Sequence, residues 1–162
     1  MKANVGAIRI FTFSAGLLLS ATAIAKLISS AGVAKILEQP DPIFSISFRH
    51  VFWVVGMIEL TTAFVCLFGR QLQLQVRLLA WLATSFLFYR LALIWIDYHR
   101  PCRCLGNLAD DLHVSPQTAD AAMKIILGYL LVGSYAALIW CWLQKRKRET
   151  IKVASQTPIM PA

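Results

Sequence analysis

The chain has 162 residues, of which 58% are hydrophobic and 15% charged. A soluble domain carries about 25% charged residues, so this chain lacks the polar surface to cover a globule in water, and its composition points to a membrane domain. The net charge is +8, but no Gly-rich phosphate loop and no nucleic-acid motif accompanies it, so no nucleic-acid partner is expected.

Four segments reach the roughly 20 residues that a helix needs to cross a bilayer. They cover residues 9–29, 51–68, 76–98 and 121–143. Their uniform apolar character excludes the alternating strands of a barrel. Only helices or closed barrels satisfy their backbone groups in lipid. The expected fold is therefore all-α, a polytopic bundle of four transmembrane helices over residues 1–148. The first segment also has a basic start and candidate cleavage sites at "ATA" (21–23) and "AIA" (23–25). Its apolar run continues through Ile28, longer than a usual signal core, which favours a retained span. Residues 149–162 lack helical periodicity and read as a flexible cytoplasmic tail.

The basic residues are unevenly shared. Lys2, Arg9, Arg70, Arg77, Lys145, Arg146, Lys147, Arg148 and Lys152 fall on one side of the alternating spans, with Glu149 as the accompanying acid. The other side carries Lys35, Arg49, Arg100, Arg103 and Lys124 with the acids Glu38, Asp41, Asp97, Asp110, Asp111 and Asp120. Basic bias sets orientation. Both termini are expected in the cytoplasm of a bacterial cell, and the segments 30–50 and 99–120 outside its inner membrane. The basic tail then faces anionic lipid.

Three charges interrupt the apolar runs: Lys26, Glu59 and Arg90. At about 1.5 Å per residue, Glu59 and Arg90 both lie about 12 Å from the outer ends of adjacent spans. That common depth predicts an ion pair locking the second helix to the third. Either charge alone costs several kcal/mol in lipid. A second reading has these charges orient an anion, a quinone head group or a partner thiolate, so quinone is the candidate cofactor. Lys26 is closer to the outer end and is expected to extend toward the interface. The pairs Gly16/Ser20 and Gly133/Ala137, with Gly128 nearby, suit close helix contact. The five tryptophans, Trp53, Trp81, Trp95, Trp140 and Trp142, suit an aromatic belt.

Cysteine usage divides in two. Cys66 and Cys141, near the cytoplasmic ends of their spans, read as small apolar fillers. Cys102 and Cys104 lie in "PCRCLG", in the segment expected to face an oxidising compartment. Arg100 and Arg103 would favour their thiolates. A disulfide across one residue is strained, hence easily reduced, which suits exchange with another protein. Half a zinc or copper site, completed from His99, His113, Asp110 or Asp111, is the rival, but the spacing departs from structural zinc. Two bystander thiols are the third reading, in which the chain is a non-enzymatic subunit or assembly factor docking other helices of a membrane complex.

These residues carry a resemblance. The chain resembles the MauE/DoxX group of redox-associated membrane proteins over about residues 8–143. The shared features are "AIAKL" with Lys26, "DPIF" at 41–44, "IEL" with Glu59, and "CRCLG" at 102–106, where the group commonly has "CGCFG". Arg103 replaces the common glycine, and the usual proline before the membrane glutamate is absent. The resemblance implies four transmembrane helices and a role in methylamine metabolism, assisting export or maturation of a disulfide-rich periplasmic protein beside a thioredoxin-like partner. It makes Cys102 and Cys104 the redox pair.

Overall fold

The computed structural model describes residues 2–31, 38, 40–96 and 116–156. Among the described residues there are four helices, α1 (Lys2–Ala31), α2 (Phe48–Phe68), α3 (Leu72–Trp95) and α4 (Pro116–Gln156). Each contains a span long and apolar enough to cross a membrane: Gly6–Ala31, Phe48–Phe68, Leu72–Trp95 and Asp120–Lys147. The expected all-α architecture is therefore found, with span ends displaced by a few residues. The chain is a multi-pass membrane protein by the length and composition of these helices.

The helices alternate in direction. At one level Gly16 of α1 faces Cys66 and Leu67 of α2, where an added Cβ would lie 3.1 Å from both side chains. At another level Gly56 of α2 faces Leu27 and Ala23 of α1. Low numbers thus meet high ones, which makes the pair antiparallel. The hydroxyls of Ser14 on α1 and Tyr129 on α4 lie 2.7 Å apart, and those of Thr84 on α3 and Tyr135 on α4 lie 2.9 Å apart. The same alternation brings the start of α1, the α2–α3 connection and the basic stretch of α4 to one end. That end is called the basic end below, and the opposite one the turn end.

Packing is inverted relative to a water-soluble bundle. The sealed positions are mostly small: Ala15, Ala23, Ala63, Ala83, Ala137 and Ser134. The exposed ones are large, including Ile10, Phe13, Leu17, Ile24 and Ile28 along one face of α1, and Ile125, Val132 and Ile139 along α4. Lipid tails solvate such side chains as well as a protein core does, so association depends on close backbone approach instead. One core cluster draws on all four helices through Ala15, Leu19, Ala63, Cys66, Leu79, Leu82, Ala83 and Leu130. A second, of Ile8, Val76 and Ala137, sits toward the basic end. The two thiols expected to be fillers are free, Cys66 in the first cluster and Cys141 packed against the second.

The short α2–α3 connection is fastened by Gln75. Its buried Nε2 donates to the carbonyls of Val65, Cys66 and Gly69 at 3.1, 3.3 and 2.7 Å. The last carbonyls of a helix have no partner within it. A side chain from the next helix meets that need.

α4 runs on as helix through Gln156, its last turns carrying the helix formers Lys, Arg, Glu and Ala. Two expectations are corrected. Gly128 joins no packing face, and an added Cβ there would meet nothing within 4 Å. Trp140 does not share the exposure of Trp53, Trp81, Trp95 and Trp142, because it packs against the cluster of Ile8, Val76 and Ala137.

Candidate functional site

Polar side chains concentrate toward the turn end. Lys26 and Thr22 lie one helical turn apart on α1, so both face α2. The Lys26 ammonium donates to Oε1 of Glu59, and the Thr22 hydroxyl donates to Oε2 at 3.3 Å. The side chains of Lys26 and Glu59 are 6% and 1% exposed. The Phe86 ring of α3 covers the ammonium, 5.2 Å from centroid to Nζ, adding a cation–π attraction that strengthens away from water.

This geometry corrects the expected Glu59–Arg90 lock. Glu59 pairs with Lys26, and Arg90 donates instead to Asp120 of α4 at 2.8 Å. Lys124, one turn along α4, holds the other oxygen of Asp120 at 2.8 Å. Depth was judged from position along each helix, and position along a helix does not fix the direction in which a side chain points. Lys26 likewise turns inward to a carboxylate instead of reaching for the interface, because a buried carboxylate offers a partner that the interface need not supply.

A further carboxylate, Asp41 of the "DPIF" segment, is buried beside the spans. Asp41 is fully buried within the turn 40–47. Its Oδ1 accepts from the amides of Ile43 and Phe44 at 2.8 and 3.0 Å, and its Oδ2 accepts from the Tyr89 hydroxyl of α3 at 2.6 Å. The Asp-Pro pair at 41–42 is an ordinary turn signal. Nothing in the sequence marks Tyr89 as its partner. Tyr89 and Arg90, neighbours on α3, thus hold the 40–47 turn and the first turns of α4.

Cys102 and Cys104 lie outside the described residues, as do Arg100, Arg103, His99, His113, Asp110 and Asp111. They belong to the connection between Trp95 and Pro116, whose two ends stand at the turn end. Among the described residues, no three His, Cys, Asp or Glu side chains gather as a metal site would require.

Four apolar helices, with a sealed ammonium–carboxylate pair tying α1 to α2 and a second pair tying α3 to α4, define a small polytopic membrane protein of the helical-bundle class. The chain belongs to the family of methylamine utilisation protein MauE, whose family model matches residues 5–143. That range takes in nearly all of α1, all of α2 and α3, and α4 through Leu143. Comparisons with curated proteins and with solved structures gave no match.

Proposed function

We propose that this protein supports thiol–disulfide exchange with a protein outside the inner membrane, through Cys102 and Cys104, in the service of methylamine utilisation. The observation that carries the reading is topological. The helices that flank the C-x-C segment in sequence, α3 ending at Trp95 and α4 starting at Pro116, meet it at the turn end, opposite the end that gathers Arg9, Arg70, Arg77, Lys145, Arg146 and Lys147. Basic residues stay in the cytoplasm, so the cysteines belong on the oxidising side, where such a pair is useful. The family's description supports methylamine utilisation as the process served.

The exchange balances within two proteins. One loop thiolate attacks a sulfur of the partner's disulfide, and the other partner sulfur leaves as a thiolate. The second loop thiolate then attacks the loop sulfur of the mixed disulfide. The products are a Cys102–Cys104 disulfide and a partner dithiol, with two electrons passed to the partner. Run backward, the same steps oxidise the partner. The partner class this chemistry requires is a disulfide-containing protein, and the family resemblance makes a thioredoxin-like protein the candidate. Lys26, Glu59 and Arg90 act in this reading as supports for the helices that carry the loop.

Trapping tests the reading. Cys104→Ser and Cys102→Ser chains are expressed in intact cells, and adducts are separated under non-reducing conditions. A reducible adduct with one of the two single variants is expected. Adducts with neither variant refute exchange. An impermeant maleimide applied to spheroplasts should label Cys102 and Cys104 only after mild reduction. Labelling that requires lysis reverses the orientation.

A further inference from the structure

We infer that the 40–47 turn is a latched lid over the buried Lys26–Glu59 pair, held shut where Tyr89 meets Asp41. This inference stands apart from the thiol chemistry and survives its failure.

The turn closes on itself. The Asp41 amide donates to the Ile46 carbonyl at 2.7 Å, and the Ser45 amide donates to the Asp41 carbonyl at 2.9 Å. Oδ1 of Asp41 takes the amides of Ile43 and Phe44. Ser45 has φ 57°, the sole left-handed non-glycine among the described residues, a conformation that persists only where its surroundings enforce it. The unit is attached to α3 at Tyr89 in two ways. The hydroxyl donates to Oδ2 of Asp41, and the Phe44 ring stacks on the tyrosine ring, with centroids 6.1 Å apart and planes within 6°.

The latch stands one helical turn outward of the ring that covers the Lys26 ammonium. Tyr89 stands three residues beyond Phe86, on the same face of α3 and about 4.5 Å nearer the turn end. Phe86 is the ring against which the Lys26 ammonium rests. Asp41 and Glu59, the carboxylates of the latch and of the pair, are each 1% exposed. Releasing the latch parts the Tyr89 hydroxyl from the Asp41 carboxylate and the Phe44 ring from the tyrosine ring. The lid thus controls whether water, and with it a proton, reaches Glu59, since a charge pair is held far more weakly once water enters.

Cysteine accessibility tests this. The full chain, with Cys66 changed to alanine and Cys102, Cys104 and Cys141 to serine, receives Thr22→Cys, beside Glu59, and is reconstituted in lipid nanodiscs. Its labelling rate with a small water-soluble methanethiosulfonate is compared with and without Tyr89→Phe, which removes the hydroxyl and keeps the ring, and with and without Asp41→Asn. Loss of one such bond should speed labelling about 10-fold through a larger open population. An unchanged rate in both variants overturns the lid. A parallel chain carries Ala15→Cys, in the four-helix core, and should stay unlabelled throughout. If it gains reactivity equally, the bundle has loosened as a whole and the lid is likewise overturned.

Discussion

Lys26 of α1 and Glu59 of α2 form an ion pair that is almost sealed from solvent on both sides, and Arg90, at a similar nominal depth on α3, takes no part in it. Thr22 and Phe86 complete the surroundings, so three of the four helices contribute. Such a pair seldom adds net stability over well-packed apolar side chains. Its removal by halves is costly, because one uncompensated charge stays behind.

Lys26→Met and Glu59→Leu should therefore each destabilise the bundle by about 3–5 kcal/mol. The double variant should recover most of that loss. Thermal unfolding in detergent, arranged as a double-mutant cycle, measures the coupling. Additive losses would mean that the two side chains do not meet.

Arg90 and Asp120 make a weaker version of the same contact. Their side chains are 18% and 21% exposed, and Lys124 shares the carboxylate. Partial solvation lowers the value of a pair. A cycle of Arg90→Gln and Asp120→Asn should show a coupling of about 1 kcal/mol, clearly below that of Lys26 with Glu59. A coupling equal to or above the Lys26–Glu59 value would contradict this ranking.

Gln75→Ala should cost about 1–3 kcal/mol by removing the side-chain donor to the Cys66 and Gly69 carbonyls. Gln75→Glu should cost more, since an ionised carboxylate offers no proton and faces three carbonyl oxygens. Unfolding of both variants in the same detergent gives the order. A glutamate variant as stable as the parent would show that the amide donates nothing of consequence.

Gly133 faces the Phe11 ring of α1, where an added Cβ would overlap the ring. Gly133→Ala should cost about 1–3 kcal/mol, the usual effect of overpacking. Phe11→Leu should restore part of the loss in the double variant by giving up the ring edge. Absence of rescue would place the strain elsewhere.

Much of this architecture was legible from composition because hydropathy along a chain is a one-dimensional signal. A run such as 51–68 needs only its own length and apolar content to be read as a span, and α2 begins three residues before that reading and ends with it. Small residues at Gly16 and Ala137 could be recognised as contact points for the same reason. Lys26, Glu59 and Arg90 stood out because charge in an apolar run is rare.

By itself the sequence determined the number of spans, their alternation, the gathering of basic residues at one end, and which charges had to find partners in lipid. Only the tertiary structure decided the partners. Depth alone pointed from Glu59 to Arg90. The rotation of each helix about its axis, set by close packing at Gly16 and Gly56, turned it toward Lys26. The same holds for Asp41 with Tyr89 and for Gln75 with the end of α2. Each joins residues whose meeting depends on how two elements cross, and no local pattern in either element records the crossing.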